Sequence, residues 1–244
     1  MDLSIIIPVY NEEQKIRHDI TAASDFLSGY NMTGEIIVVD DGSTDQTSEV
    51  VMSTAVGEGV SLKRIGYREH TGKGKAVKTG IMEAGSDLIM FIDSGNCVPY
   101  ENISRGIALL KDGKCEIAHG SRFLTESLIK RSRTAYRKLV SFLFRKYIRI
   151  LSRIPGDLTD TQCGLKIYRK ETAHELYGAC ITDGFLFDVE IILRAREKGY
   201  CILEFPIEWT SDPDSRLSVS RTLLSMFSEL RSIRKALRSF RQDG

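Results

Sequence analysis

The chain has little that would tie it to a metal framework, a disulfide scaffold or a bilayer. Its five cysteines, at 97, 115, 163, 180 and 201, are odd in number, and no Cys-x-x-Cys pair occurs. Such spacing points to neither a zinc site nor a disulfide framework, and a reducing, cytosolic setting fits it. His18, His70, His119 and His174 show no ligand spacing and read as structural or surface positions. No apolar run approaches the roughly 20 residues that span a bilayer. The runs Ile5-Ile6-Ile7 and Ile36-Ile37-Val38-Val39 have strand length. A net charge of +1 carries no polyanion signal, so no nucleic-acid partner is expected. The first residues lead straight into a strand, so no signal peptide is expected.

What is present is an ordinary globular composition, 42% hydrophobic and 27% charged, over 244 residues. That length is enough for one domain with a proper core. Strand and helix patterns alternate through the first 120 residues. Strands are expected at residues 3–9, 35–40, 60–65, 87–92 and 116–119, and helices at 12–28, 44–54, 74–84 and 99–110. Further on, helices are expected at 136–153, 187–198 and 219–237, with strands at 165–169 and 202–209. Such alternation predicts right-handed crossovers and a mainly parallel sheet. Ligands then bind beyond the carboxyl ends of the strands. That directs attention to the loops 10–13, 40–45, 93–99 and 121–122. No linker or repeat divides the chain, and a single domain, 1–244, is the economical reading.

Three motifs sit at those loops. Asp40-Asp41-Gly42-Ser43-Thr44-Asp45 follows an apolar strand, where a carboxylate accepts from a base N–H or a ribose hydroxyl. The same residues also suit an Asx-type turn that caps a helix. Asp93 ends another strand and has the chemistry to hold a divalent cation against a diphosphate, or to act as a turn residue. Gly72-Lys73-Gly74-Lys75 precedes a helix and suits a phosphate cradle or a plain helix entry. It lacks P-loop spacing. Residues 121–153 carry ten basic side chains and one acid, Glu126, with apolar residues at helical spacing between them. This reads as a basic amphipathic helix for a membrane surface, or as a core-packed helix with a solvated face.

Taken together, Ser4 to Glu12, Val38 to Asp45 and Gly72 to Ala76 resemble the family 2 inverting glycosyltransferases. Asp160-Thr-Gln-Cys-Gly-Leu-Lys166, Phe187-Asp-Val-Glu190, Glu204 to Trp209 and Ser215-Arg-Leu217 resemble its dolichyl-phosphate β-glucosyltransferase branch. The resemblance spans residues 3–237. It implies an α/β, Rossmann-like nucleotide-sugar-binding glycosyltransferase A fold, with a mainly parallel central sheet and helices on both faces. Residues 1–120 would form the nucleotide-binding half and 121–244 the acceptor half. It further implies inverting transfer of a hexose from a nucleoside diphosphate sugar to a polyprenyl or dolichyl phosphate. UDP-glucose is the first expectation for the donor and GDP-mannose its rival.

By the same resemblance, Pro8, Tyr10, Glu12, Val39 and Asp41 line the nucleoside pocket. Asp93 and Ser94 match the first two positions of an Asp-x-Asp motif, with Asp93 a ligand of Mg²⁺ or Mn²⁺. Arg122 matches the Arg of a Gly-Ser-Arg motif, Arg216 meets phosphates from a mobile loop, and Gln162 lies near the donor sugar or acceptor. Asp93, Arg122 and Arg216 are the expected catalytic residues. Gly95 stands where the family carries its second carboxylate. Membrane contact would come peripherally, at the cytosolic face. Two other readings stay open. In one, the acceptor is a saccharide or glycolipid hydroxyl, with Asp160 or Asp188 as base. In the other, the chain is a silent nucleotide-sugar-binding module.

Overall fold

The computed structural model of the chain describes residues 1–131, 146, 158–210 and 229–237. The β-branched runs form strands buried on both faces. β1 (Leu3–Val9) and β2 (Gly34–Asp40) are buried along their whole length, as continuous Ile/Val runs demand. They join β3 (Val60–Gly66), β4 (Leu88–Ile92), β5 (Ile117–Ser121), β7 (Leu165–Arg169) and β8 (Ile202–Pro206) in a seven-stranded sheet of order β3-β2-β1-β4-β7-β5-β8. β7 runs antiparallel to its neighbours β4 and β5, and the other pairs are parallel. β6 (Leu128–Arg131) and β9 (Glu208–Thr210) pair separately.

Successive side chains on a strand face opposite ways, and that alternation builds two core layers. Ile5, Ile7, Val38 and Met90 pack with Ile16 and Ile20 of α1 (Ile16–Gly29) and Ile103 and Ile107 of α4 (Ile103–Lys111). Ile6, Ile37, Val39 and Phe91 pack on the other face. Their partners are Val77 of α3 (Lys73–Glu83), Leu176 of α5 (Lys170–Gly178) and Ile191 of α6 (Phe187–Glu197). Helices therefore cover both faces of a mostly parallel sheet, as the pattern predicts. A smaller cluster joins Val189 and Ile192 of α6 to Leu230 and Ile233 in the helical residues 229–237.

Several details differ from the sequence pattern, among them the later starts of α1 and α4 at Ile16 and Ile103. The expected strand at 202–209 is two strands, β8 and β9, because the chain leaves the main sheet at Ile207 and turns to β6. The helix expected at 44–54 is α2 (Thr47–Met52). It starts late because Ser43, Thr44 and Asp45 bond to the loop after β1. α5 and β6 carry no strong period and were not expected. The basic helix at 136–153 lies outside the described residues except Lys146, as do residues 219–228 of the final helix. Among the described residues no helix is long and apolar enough to cross a membrane.

Candidate active site

The loops after β1 and β2 are laced together by their own motif residues. Asn11 takes a left-handed backbone with φ +56°. Its N–H donates to Ser43 Oγ at 2.8 Å, and its Oδ1 accepts from the Thr44 N–H at 2.7 Å. The Glu12 N–H donates to Thr47 Oγ1 at 2.8 Å. Asp40 takes the turn role, accepting from the Ser43 N–H at 2.9 Å. Tyr10 and Glu12 are thereby held at the carboxyl end of β1. Pro8 stands past the last β1–β4 pair, Ile6 with Phe91, so its missing N–H leaves that ladder intact. The Val39 side chain is fully buried in the α3-side core. Its expected part in a nucleoside pocket thus reduces to its backbone.

Asp41 is the hub of this end. It is buried, yet its carboxylate accepts from the N–H and the hydroxyl of Thr71, each at 2.8 Å, and from the Gly72 N–H at 2.9 Å. His70 Nδ1 lies 2.8 Å from Asp41 Oδ2, and the His70 ring stacks on Tyr10 at 4.2 Å between centroids. His70, read from sequence as a structural or surface position, thus packs against two of the expected site residues. The Gly-Lys-Gly turn is pinned from its other side. A Cβ on Gly72 would meet Asp183 O at 2.5 Å, and one on Gly74 would meet Gly184 O and Thr182 O at 2.7 Å. The glycines serve close backbone packing, and the lysine between them enters the site.

That lysine meets Asp93. Lys73 Nζ lies 2.6 Å from Asp93 Oδ1. The antiparallel pairing of Ile92 with Leu165 brings Gly164 beside Asp93, whose N–H donates to Gly164 O at 2.9 Å. Ser94 follows at the same loop. The next two N–H groups, of Gly95 and Asn96, donate to the two oxygens of Asp19 at 2.9 and 2.8 Å. Asp19 is buried on α1, and desolvation pushes its pKa up to about 6 against those hydrogen bonds. Burial works to lower the Lys73 pKa, but the charges of Asp93 and Asp188 hold it above the ordinary lysine value.

A second charged cluster lies at the end of β5. Arg122 grips Asp160 with both arms, Nε to Oδ2 at 2.6 Å and the terminal nitrogen to Oδ1 at 2.8 Å. The guanidinium also donates to the Gln162 carbonyl at 3.3 Å and lies 5.4 Å from the Trp209 ring centroid. Gln162 thus contributes backbone to this cluster. Glu204 holds the loop, accepting the N–H groups of Thr159 and Asp160 at 2.7 Å each. Burial alone would raise the Asp160 pKa, but Arg122 overrides it and holds the carboxyl below its usual value. Asp188 is paired with the fully buried Lys166 at 2.6 Å, and there burial wins and raises its pKa. Both aspartates are thus held in ion pairs, Asp160 with Arg122 and Asp188 with Lys166. Arg216 lies outside the described residues.

The loop after β4 offers a divalent cation a sparse donor set. Asp93 is one carboxylate, already ion-paired, and Gly95 contributes no side chain. Asn96 Oδ1 is buried without a hydrogen-bond partner, but a neutral oxygen holds a hard cation less strongly. No three His, Cys, Asp or Glu side chains converge as a ligand set among the described residues. These residues do not fit a tightly held ion. Sequence reasoning missed Lys73 as the partner of Asp93, together with Asp19, His70 and Gly164.

The geometry agrees with the comparisons to known proteins. The family model described as "Glycosyl transferase family 2" matches residues 4–177. The dolichyl-phosphate β-glucosyltransferase of Saccharomyces cerevisiae is 30% identical over 252 residues, covering 96% of this chain and 74% of that protein. The human enzyme of the same name is 30% identical over 243 residues, covering 95% and 74%. Glycosyltransferase AglD of Haloferax volcanii is 25% identical over 232 residues, and the match spans only 36% of its length. Among solved structures, glucosyl-3-phosphoglycerate synthase from Mycobacterium tuberculosis, with Mn²⁺, UDP and glucosyl-3-phosphoglycerate, aligns with a TM-score of 0.64. It is 17% identical, over 98% of this chain and 79% of that one, a likeness that shows the shared glycosyltransferase A fold. With its strand-end motifs assembled on that fold, the chain belongs to glycosyl transferase family 2.

Proposed function

We propose that this enzyme moves glucose from UDP-glucose to a polyprenyl phosphate such as dolichyl phosphate, with inversion at the anomeric carbon. The names of the yeast and human relatives support this acceptor and sugar. The observation that carries the reading is the state of the two candidate bases. Asp160 is locked to Arg122 and Asp188 to Lys166. A sugar hydroxyl needs a base to remove its proton. A phosphate monoester, with a second pKa of about 6, is already mostly a dianion at neutral pH.

The acceptor oxygen forms its bond to the anomeric carbon as the bond to the β-phosphate oxygen breaks, and the electron pair leaves with the diphosphate. The protein's work is to position two anions and to stabilise the departing charge. In this reading Tyr10, Glu12 and Asp41 serve the nucleoside end, Asp93 and Ser94 the diphosphate, and Arg122 and Gln162 the sugar and acceptor, while Arg216, outside the described residues, is the expected further phosphate contact. Of the carboxylates in its loop, only Asp93 would hold an Mg²⁺ or Mn²⁺ ion, which when bound would supply positive charge to the leaving diphosphate. A lipid acceptor implies work at a membrane surface, and the attachment proposed here is peripheral, at the cytosolic face. Exposed Phe123, Leu128 and Ile129 on the β6 side support that placement. The donor is tested by offering UDP-glucose and GDP-mannose with one polyprenyl phosphate. Faster transfer from UDP-glucose is expected, and preference for GDP-mannose would reassign the sugar.

A further inference from the structure

We infer that in this chain the ammonium of Lys73, rather than a divalent ion, supplies the positive charge at the donor diphosphate. The inference rests on the glycosyltransferase reading above. Its starting point is the departure at Gly95, which leaves Asp93 without a second carboxylate. Two carboxylates and a dication sum to zero charge. Asp93 and the Lys73 ammonium, 2.6 Å apart, also sum to zero. The local charge stays balanced with one carboxylate fewer and a monovalent ammonium in place of the dication. A dication brought to Asp93 would instead stand beside an ammonium already holding its Oδ1.

The lysine is delivered by structure at both ends. It opens α3, and its backbone is held between the Gly72 N–H bond to Asp41 and the packing of Gly72 and Gly74 on residues 182–184. Its ammonium lies 6.0 and 5.9 Å from the ring centroids of Phe91 and Phe187, faces that favour a cation. The Lys73 side chain remains 24% exposed, so one side is open to a ligand. An ammonium has three N–H donors. The ion pair with Asp93 leaves N–H donors for β-phosphate oxygens. As the anomeric C–O bond breaks, the electron pair moves onto that phosphate, and the ammonium stabilises it by charge and hydrogen bonding without giving up a proton.

The test is UDP binding to the full chain by calorimetry, in EDTA and in MnCl₂, with electron paramagnetic resonance of Mn²⁺ reporting bound metal. Wild-type affinity is expected to change by less than about twofold between the two conditions. Lys73→Met should weaken UDP about tenfold or more, the loss of one charged hydrogen bond, while UMP binding changes little. Lys73→Arg should keep most of the UDP affinity. UDP binding by the wild type that disappears in EDTA and returns with Mn²⁺ would overturn the inference and leave the glycosyltransferase reading standing. UDP failing to bind in either condition, with circular dichroism showing a folded chain, would overturn both. The wild-type comparison decides even if Lys73→Met does not fold.

Discussion

Gly164 and Asp93 share one space: a Cβ on Gly164 would stand 2.0 Å from Asp93 Oδ2. The glycine of the Thr-Gln-Cys-Gly stretch is therefore the floor on which the Asp93 carboxylate rests. Gly164→Ala must push that carboxylate, or the start of β7, out of place. Misplacement of about 1 Å at a reacting centre costs on the order of 10²-fold in rate. Transfer by Gly164→Ala is expected to fall by about that factor, with circular dichroism unchanged. Wild-type turnover would show that Asp93 has no need of its present position.

Asp41 holds the loop that carries Lys73. Asp41→Ala removes the buried acceptor of the Thr71 and Gly72 N–H groups, which are themselves only partly shielded from water. Each lost bond is expected to cost about 0.5–1.5 kcal/mol of stability. Urea unfolding should show a lowered midpoint, and UDP affinity should fall with it. An unchanged midpoint would mean that water replaces the carboxylate in full.

Arg122 and Asp160 act as a unit. Asp160 is fully buried, so Arg122→Ala leaves an uncompensated charge and is expected to cost about 3–5 kcal/mol. The double variant Arg122→Met/Asp160→Leu should recover most of the stability and none of the activity. If Arg122→Ala is as stable as the wild type, Asp160 has another partner. If the double variant turns over normally, Arg122 does not meet the substrates.

Asp19 gives the stability a pH dependence of predictable sign. Burial raises its folded pKa to about 6 from 3.8, so the folded state holds the proton more tightly than the unfolded state. Its contribution is greatest below the unfolded value and is lost as pH rises through about 6, a change of roughly 2–3 kcal/mol. Asp19→Asn should flatten this part of the stability profile between pH 4 and 7. It should also slow transfer, because the amide keeps only one acceptor for the Gly95 and Asn96 N–H groups. An identical profile in both proteins would exclude Asp19 as its source.

The sequence announced what local pattern can carry. Runs such as Ile5-Ile6-Ile7 can be buried on both faces only in a covered sheet, and the acids that follow them mark strand ends. Hence β1, β2, β4 and the positions of Asp41 and Asp93 were legible. Long-range pairing was not. Lys73 meets Asp93 because α3 packs on β1 and β4, and Gly164 meets Asp93 because β7 inserts antiparallel between β4 and β5. Neither has a local signature. Asp19 looks like a surface acid of an amphipathic helix until the loop at Gly95 closes over it. His70 has no ligand spacing, and only the fold sets it on Tyr10.

The proposed acceptor is a lipid phosphate. The direct measurement gives the purified full chain UDP-[¹⁴C]glucose with either a short polyprenyl phosphate or a panel of saccharide and glycolipid acceptors, then partitions the products between organic and aqueous phases. Label is expected in the organic phase with polyprenyl phosphate, released as free glucose by mild acid. Labelled saccharide or glycolipid product, with no lipid-phosphate-linked glucose, would contradict the account and return the search to a carboxylate base.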